Sequence, residues 1–452
     1  MQNSWYVQPD SARHACVDSR HFKAIAELNL AGRSRFAALA FLVVSATIFA
    51  QDLVTLTGPY WGEDVAQHWV AARLFSEGVD PYAEDALRKG GERYGLIEPS
   101  QPSHHFLERH HYPPVGLLLG YPISMVSYRT ARIIWLFASA LTALACLPLL
   151  LLVSGIKWGS EPSWVLVGAF LLFLPVRGAL ALGQPDIFLF ALLLAGLQLD
   201  GKGRSWLAGA PLAMAAILKL IPAAWILYFL ARRRWKTAGS TVAWTVGLTI
   251  ATLPFVPPET YLSFLDNQWS FAIASEGWQR YEPTNLSLSA WLFKGFAFLS
   301  GGHQLEWAGA ISTRLLSAAV LGAIVWRLTT TLAKSLRTDA AGMGLLCAGI
   351  ALVSPLTWQH HLVVLALPLA AALRESWSSR NEGRFVVTFL VPFLLVGVLD
   401  PRFPAFRMLT ADLPKMLRDA AWSVLPVMAT AGIFWTAWIA WMATGDVDAN
   451  RE

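Results

Sequence analysis

Apolar stretches recur from Phe36 to Met442 without a long polar interval between them. A helix needs about 20 apolar residues to cross a bilayer, and that measure predicts spans near 36–54, 131–153, 164–180, 185–199, 206–219, 220–231, 238–255, 307–328, 341–354, 361–373, 385–399 and 420–443. Several are short. The pairs 164–199 and 206–231 read as broken or half-depth helices, interrupted at Gly183-Gln184-Pro185-Asp186 and at Lys219-Leu220-Ile221-Pro222. Irregular backbone at that depth is tolerated only where it lines a cavity. The stretch 112–126 begins Tyr-Pro-Pro, carries Pro122 in its middle and is too short to span, so it reads as interfacial.

The expected fold is therefore an all-α polytopic membrane protein, a bundle of about twelve transmembrane helices. Residues 1–34 form a polar tail, 35–444 one membrane domain and 445–452 a second tail. Arg13, Arg20, Lys23, Arg33 and Arg35 precede the first span, and the positive-inside rule keeps that tail in the cytoplasm. Twelve spans return the C-terminus to the same side. Lys157, Lys202, Arg204, Arg232-Arg233-Arg234 and Lys236 then fall on inner loops, while segments 55–130 and 257–305 lie outside. Composition agrees: 55% of residues are hydrophobic and 14% charged, which excludes a soluble globule, and many of the 21 Trp flank the apolar runs. The net charge of +5 is spread over short loops and forms no nucleic-acid-binding face. Cys16, Cys146 and Cys347 are far apart and suggest neither disulfides nor a metal site.

The polar residues that break the apolar pattern gather on the outer side. Gly62 to Ala72 has Val65, Trp69 and Ala72 at helical spacing, as in a helix lying in the interface. Asp64 sits in its first turn, where the helix dipole favours a carboxylate; it either caps the helix or acts as a base. Lys219 is a cation within an apolar segment and either snorkels to the interface or meets an anion. His360 and His361 follow Pro355 at a helix start, and one of them can face a phosphate. Arg129 and Arg132 share a helical face and suit phosphate or lipid head groups. Arg177 needs an anionic partner, and Asp186 is the expected one. In the outer segment 257–305, Asp266, Trp269, Trp278, Tyr281, Glu282 and Asn285 supply rings and polar groups suited to a sugar or to lipid head groups. His104-His105 and His110-His111 lack the thiols or spaced carboxylates of a zinc site, and no metal is expected.

Taken in order, Glu63-Asp64, Gly78-Val79-Asp80-Pro81-Tyr82, Tyr112-Pro113-Pro114, Gly183-Gln184-Pro185-Asp186, Leu218-Lys219-Leu220-Ile221-Pro222 and Ser354-Pro355-Leu356-Thr357-Trp358-Gln359-His360-His361 resemble glycosyltransferase family 87 of the GT-C superfamily. The resemblance covers roughly residues 36–400. It implies a GT-C-like bundle with interfacial helices in the first outer loop, located in the cytoplasmic membrane with its active site facing the periplasm or exterior. It also implies transfer of a hexose, usually mannose, from a polyprenyl-phosphate donor to a hydroxyl of a glycan or glycolipid acceptor, with inversion and without a cofactor. An acidic residue of the first outer loop serves as base in such enzymes, which points to Asp64 with Glu63 beside it. Lys219, His360, His361, Arg129 and Arg132 become the donor-phosphate candidates. Tyr82, Tyr112 and Gln184 fall in the shared motifs and, with Glu63 and Trp269, make the expected substrate-binding set. Two rivals remain: a secondary transporter, which predicts repeated halves that the sequence does not display, and a non-catalytic lipid-binding protein of the envelope.

Overall fold

Helix follows helix through the computed structural model, which describes residues 11–58, 61–96, 107, 110–274, 285–299, 306–330, 336–379, 381–397 and 415–443; no strand occurs among them. The first half runs α1 (Ser11–Leu56), α2 (Glu63–Ser76), α3 (Ala86–Arg93), α4 (Val115–Ser124), α5 (Tyr128–Ser154) and α6 (Glu161–Leu172). There follow α7 (Leu174–Leu182), α8 (Asp186–Gly201), α9 (Ser205–Leu218), a 3₁₀ turn (Ile221–Trp225), α10 (Ile226–Ala231), α11 (Trp235–Thr252) and α12 (Pro258–Ala274). Each predicted apolar segment is mainly helical over its described residues, with breaks inside or at the ends of some of them. Length separates them. Among the described residues four helical stretches are long and apolar enough to cross a membrane, Ser34–Leu56, Tyr128–Ser154, Trp307–Thr330 and α6 with α7 taken together (Glu161–Leu182), so the all-helical expectation holds while the count of about twelve crossings is not established.

Proline explains much of the shortening. Pro175 cannot donate a backbone hydrogen bond, and its ring collides with the carbonyl four residues back, so the chain takes an extended conformation at Phe173 and splits α6 from α7. Pro222 acts the same way on Leu218. Helix α9 stops there, and Lys219 adopts extended backbone before the 3₁₀ turn. Gly183 ends α7 in the left-handed region at φ 78°, and Pro185 leads into α8. A fourth interruption, Ser354–Trp358, precedes the 3₁₀ helix Gln359–Leu365. The backbone therefore opens at the two places that the sequence predicts, at Phe173, and before the histidine pair.

The segment between α1 and α5 builds its own small core. Helix α2 buries Val65 through Ala72 and Leu74 against α3, α4 and α5, with Tyr82, Leu87, Leu117 and Phe264 around it. It is thus enclosed by protein on nearly all sides rather than presenting a single apolar face. The main core surrounds Phe170, Phe173, Phe190, Tyr228 and Phe229, drawn from α6, α8, α10 and the break between α6 and α7.

Several buried charges within this bundle form ion pairs. Arg177 of α7 donates to Asp52 of α1, with Nη2–Oδ1 at 3.0 Å. Asp186, the expected partner of Arg177, is taken instead by Lys219. The turn at Gly183 places Arg177 and Asp186 on different helices, and each meets the oppositely charged residue nearest to its own helix. At the other end of α8 and α9, Arg234 bridges Asp200 and Asp339, and the Tyr228 hydroxyl donates to Asp339 at 2.6 Å.

Candidate active site

The site forms where the interruptions meet the start of α2. Gly62, with φ 84°, caps that helix; its N–H donates to Ala181 O at 2.7 Å and its carbonyl accepts from the Tyr128 hydroxyl at 3.0 Å. A side chain on Gly183 would overlap Val65, so only glycine lets the turn between α7 and α8 seat against α2. These contacts bring residues far apart in sequence to one place. Gln184 Nε2 donates to Asp64 Oδ2 at 2.7 Å, and the Tyr112 hydroxyl donates to Gln184 Oε1 at 2.7 Å. Asp64 Oδ1 receives a longer bond, 3.3 Å, from Gln67 Nε2. Asp64 therefore does not cap its helix.

Burial pushes the Asp64 carboxyl up to about 6, while the hydrogen bond from Gln184 partly opposes that rise. A carboxylate of this kind is ionised at neutral pH and still basic enough to accept a proton. His68, one helical turn after Asp64, is stacked on Trp135 with centroids 5.3 Å apart and lies 4.2 Å from the Tyr112 ring. Burial, with Lys219 nearby, lowers its imidazole to about 3 and keeps it neutral.

Beside this carboxylate lies a cation. Lys219 Nζ reaches both oxygens of Asp186, at 3.0 and 3.2 Å, and stands 5.9 Å from the centre of the Tyr112 ring. His360 and His361 pack edge to face with centroids 4.4 Å apart. The Trp358 N–H donates to His361 Nδ1 at 3.3 Å, which leaves Nε2 as the atom able to meet a ligand. Asp186, Lys219 and His361 line a cavity of about 50 Å³ whose other walls include Leu189, Ile221, Trp225, Ile350 and Val364. Ligating atoms of Asp186, His360 and His361 lie within 4.8 Å of one another, close enough to hold a metal ion. The ammonium of Lys219 already stands on both Asp186 oxygens, so the carboxylate has its cation from the chain.

The other candidates are distributed differently. Glu63 is exposed, apart from the hydrogen-bonded group that holds Asp64. Tyr82 is buried and its hydroxyl donates to Tyr112 O at 2.7 Å, a supporting rather than an open position. Arg129 is exposed, whereas Arg132 is 5% exposed and donates to the carbonyls of Trp61 (2.8 Å), Thr57 (3.2 Å) and Gly58. The two arginines thus do not act as one phosphate clamp: Arg132 ties down the connection between α1 and α2. Trp269 lies in α12 with its side chain outside the described residues, as are His104, His105, Trp278, Tyr281 and Glu282 altogether. Asn285 pins the turn at Pro355–Thr357, donating to Pro355 O at 2.9 Å and accepting from Thr357 N at 3.1 Å. His68 and Asp52 were not among the expected residues. The four-residue spacing from Asp64 is a signal that could have found His68; nothing local marks Asp52, which sits 125 residues from its partner.

Residues 110–355 match the family model described as glycosyltransferase family 87, a stretch that begins after Asp64. A polyprenol-phosphate-mannose-dependent alpha-(1-2)-phosphatidylinositol mannoside mannosyltransferase of Mycolicibacterium smegmatis is 26% identical over 356 residues, 71% of this chain and 75% of that protein. The protein of the same description from Mycobacterium tuberculosis is 25% identical over 268 residues, 58% of this chain and 59% of its own length. A polyprenol-phosphate-mannose-dependent alpha-(1-2)-phosphatidylinositol pentamannoside mannosyltransferase of Mycobacterium tuberculosis is 26% identical over 298 residues, covering 63% of this chain and 64% of that protein. No solved structure matches the chain significantly.

Proposed function

Because the chain belongs to glycosyltransferase family 87, we propose that it moves a hexose, mannose as in the names of its relatives, from a polyprenyl-phosphate carrier to a hydroxyl of a glycan or glycolipid acceptor. One juxtaposition carries the reading: a carboxylate of raised pKa, Asp64, beside a lysine that opens onto an apolar cavity. The acceptor hydroxyl gives its proton to Asp64 as its oxygen attacks the anomeric carbon. The bond from that carbon to the phosphate oxygen breaks on the opposite face, and the electron pair leaves with the phosphate. Lys219 and His361 meet the negative charge that develops there. The apolar walls of the cavity suit the first units of a prenyl chain attached to that phosphate.

A single displacement inverts the anomeric centre, so a β-linked donor gives an α-linked product, the linkage in the relatives' names. Asp186 is engaged by Lys219 and does not serve as a second, covalent nucleophile. The ammonium supplies the positive charge, and the reaction as written needs no metal or cofactor. For orientation, α8 is 16 residues long, about 24 Å, and separates Asp186 from the end that carries Lys202 and Arg204. The positive-inside rule turns that basic end to the cytoplasm and the site to the periplasm or exterior of the cytoplasmic membrane.

The test is transfer in proteoliposomes that contain the purified protein, a synthetic polyprenyl-phosphate hexose carrying a radiolabelled sugar, and a glycolipid acceptor. The expected result is labelled acceptor together with one free polyprenyl phosphate per sugar moved. Retention of donor and acceptor without turnover, across a panel of hexoses and acceptors, would leave a lipid-binding or transport protein and overturn the reading.

A further inference from the structure

Three hydrogen bonds run in series behind the proposed base. The Tyr82 hydroxyl donates to Tyr112 O, the Tyr112 hydroxyl to Gln184 Oε1, and Gln184 Nε2 to Asp64 Oδ2, each at 2.7 Å. We infer that Gln184 and Tyr112 are positioning residues that decide which oxygen of Asp64 receives the acceptor's proton, an inference that rests on Asp64 being the base. They are not, on this view, ligands of the sugar.

An amide side chain can present either its oxygen or its nitrogen to a neighbour. Beside a carboxylate only the nitrogen is favourable, because two acceptors would face each other in the opposite orientation. Tyr112 adds a second lock. Burial, followed by the charges of Asp64 and Asp186, raises its phenol well above the ordinary range, so the hydroxyl keeps its proton and donates to the oxygen end of the amide. With both ends fixed, Gln184 commits its N–H to Oδ2. Among the described residues Oδ1 has only the 3.3 Å bond from Gln67, beyond the usual range for an N–H···O contact, and is the oxygen with the freer lone pair. The proton is accepted there.

The supporting geometry is set by backbone rather than by flexible side chains. Gly62 N–H to Ala181 O, at 2.7 Å, joins the two turns that carry Asp64 and Gln184. The Tyr112 ring is held between the neutral His68 ring at 4.2 Å and the ammonium of Lys219 at 5.9 Å. The same tyrosine thus borders both halves of the site: its hydroxyl orients the base through the amide, and its ring lies beside the cation proposed for the phosphate.

The test is the pH dependence of kcat/KM in proteoliposomes for the unaltered protein, Gln184→Leu and Tyr112→Phe. The bond from Gln184 favours ionised Asp64, so its loss moves the acidic limb upward from about 6, by about 1 pH unit. In Gln184→Leu that shift is expected to lower activity about twofold at pH 7, with the loss approaching about tenfold well below pH 6. Tyr112→Phe keeps the ring beside Lys219 but frees the amide to turn, and moves the limb in the same direction by less. If either variant lost activity with its limb unmoved, the role would be structural; if Gln184→Leu raised the donor or acceptor KM alone, it would be substrate binding. Either result overturns the inference. Should Gln184→Leu fail to accumulate, the limb of Tyr112→Phe decides. A fully active Asp64→Asn removes the base and this inference together, whereas an inactive Asp64→Asn with unmoved limbs in the other two variants removes the positioning role alone.

Discussion

Asp64→Asn is the perturbation that separates chemistry from architecture. Asparagine keeps the size of the side chain and an oxygen that accepts from Gln184 Nε2, so the turn at Gly62 and the contact with α8 remain. Only basicity is lost, and general-base contributions run to about 10²–10⁴ in rate, which sets the expected fall in turnover. Stability moves the other way. The folded protein holds the Asp64 carboxyl at about 6 against an ordinary 3.8, so ionising it disfavours the fold. That cost is absent below the ordinary carboxylate range, grows as pH rises from 3.8 to about 6, and is constant above it. The interval corresponds to at most about 3 kcal/mol, reduced because water still reaches part of the side chain. Asp64→Asn is therefore expected to unfold at a higher temperature than the unaltered protein at pH 7.5, and at nearly the same temperature near pH 4. The measurements are transfer in proteoliposomes and thermal unfolding in detergent followed by tryptophan fluorescence. An active variant would refute the assignment of the base; an inactive variant with unchanged stability at both pH values would refute the account of its environment.

The pair of Lys219 and Asp186 gives a second expectation: Lys219→Ala strands a buried carboxylate and removes the phosphate's cation, so donor KM is expected to rise about tenfold or more, and Asp186→Asn added to it to restore expression but not donor use. An unchanged donor KM would make Lys219 a purely structural cation. Single cysteines at positions 64, 219 and 361 are expected to react with a membrane-impermeant thiol reagent from the side opposite to one placed at Arg233, and labelling of both groups from a single side would overturn the proposed orientation. For Asp52 and Arg177, removing either partner alone is expected to cost about 3–5 kcal/mol, while replacing both with leucine brings stability back close to the starting value; thermal unfolding of the three variants checks this.

Much of the architecture is legible because helix breaks have local causes. Pro222 stops α9 four residues earlier, Gly183 and Pro185 mark the turn into α8, and Tyr-Pro-Pro with Pro122 marks a segment too short to cross, seen as the ten-residue α4. Lys219 could be nominated as a charge within an apolar run, His361 from its place at a helix start after Pro355, Asp64 from the first turn of α2, and Tyr112 and Gln184 from the motifs that resemble the family. Their mutual arrangement could not. Asp64 and Gln184 are 120 residues apart, Tyr112 and Gln184 are 72 apart, and which polar group meets which depends on helix packing. For the same reason Arg177 was matched with the nearest carboxylate in sequence, Asp186, when the nearest in space is Asp52 on α1. Arg132 shows a further limit: its spacing from Arg129 suggests a shared face, yet backbone carbonyls at the end of α1 satisfy its guanidinium. Burial of α2 on nearly all faces also has no strong sequence signal, since Gln67 and His68 lie inside it as polar residues.

The division of labour within the site follows from which partner each buried carboxylate receives. Asp186 and Asp52 each meet a full positive charge, from Lys219 and Arg177, and are engaged in those ion pairs. Asp64 is met by two amides. Amides donate hydrogen bonds without supplying net charge, so burial dominates over the bond from Gln184 and the carboxyl stays near 6. If the ammonium of Lys219 were on Asp64 instead, the carboxylate would be quenched as a base and the phosphate would lose its cation. Placing the lysine on Asp186 keeps a positive charge next to the reacting centre while leaving Asp64 basic. Exchanging the two environments is therefore more informative than deleting either. Gln184→Lys puts an ammonium beside Asp64, which should carry its acidic limb below about 4 and lower turnover more than donor binding. A variant that kept its limb near 6 would show that Asp64 does not owe its basicity to the lack of a charged partner.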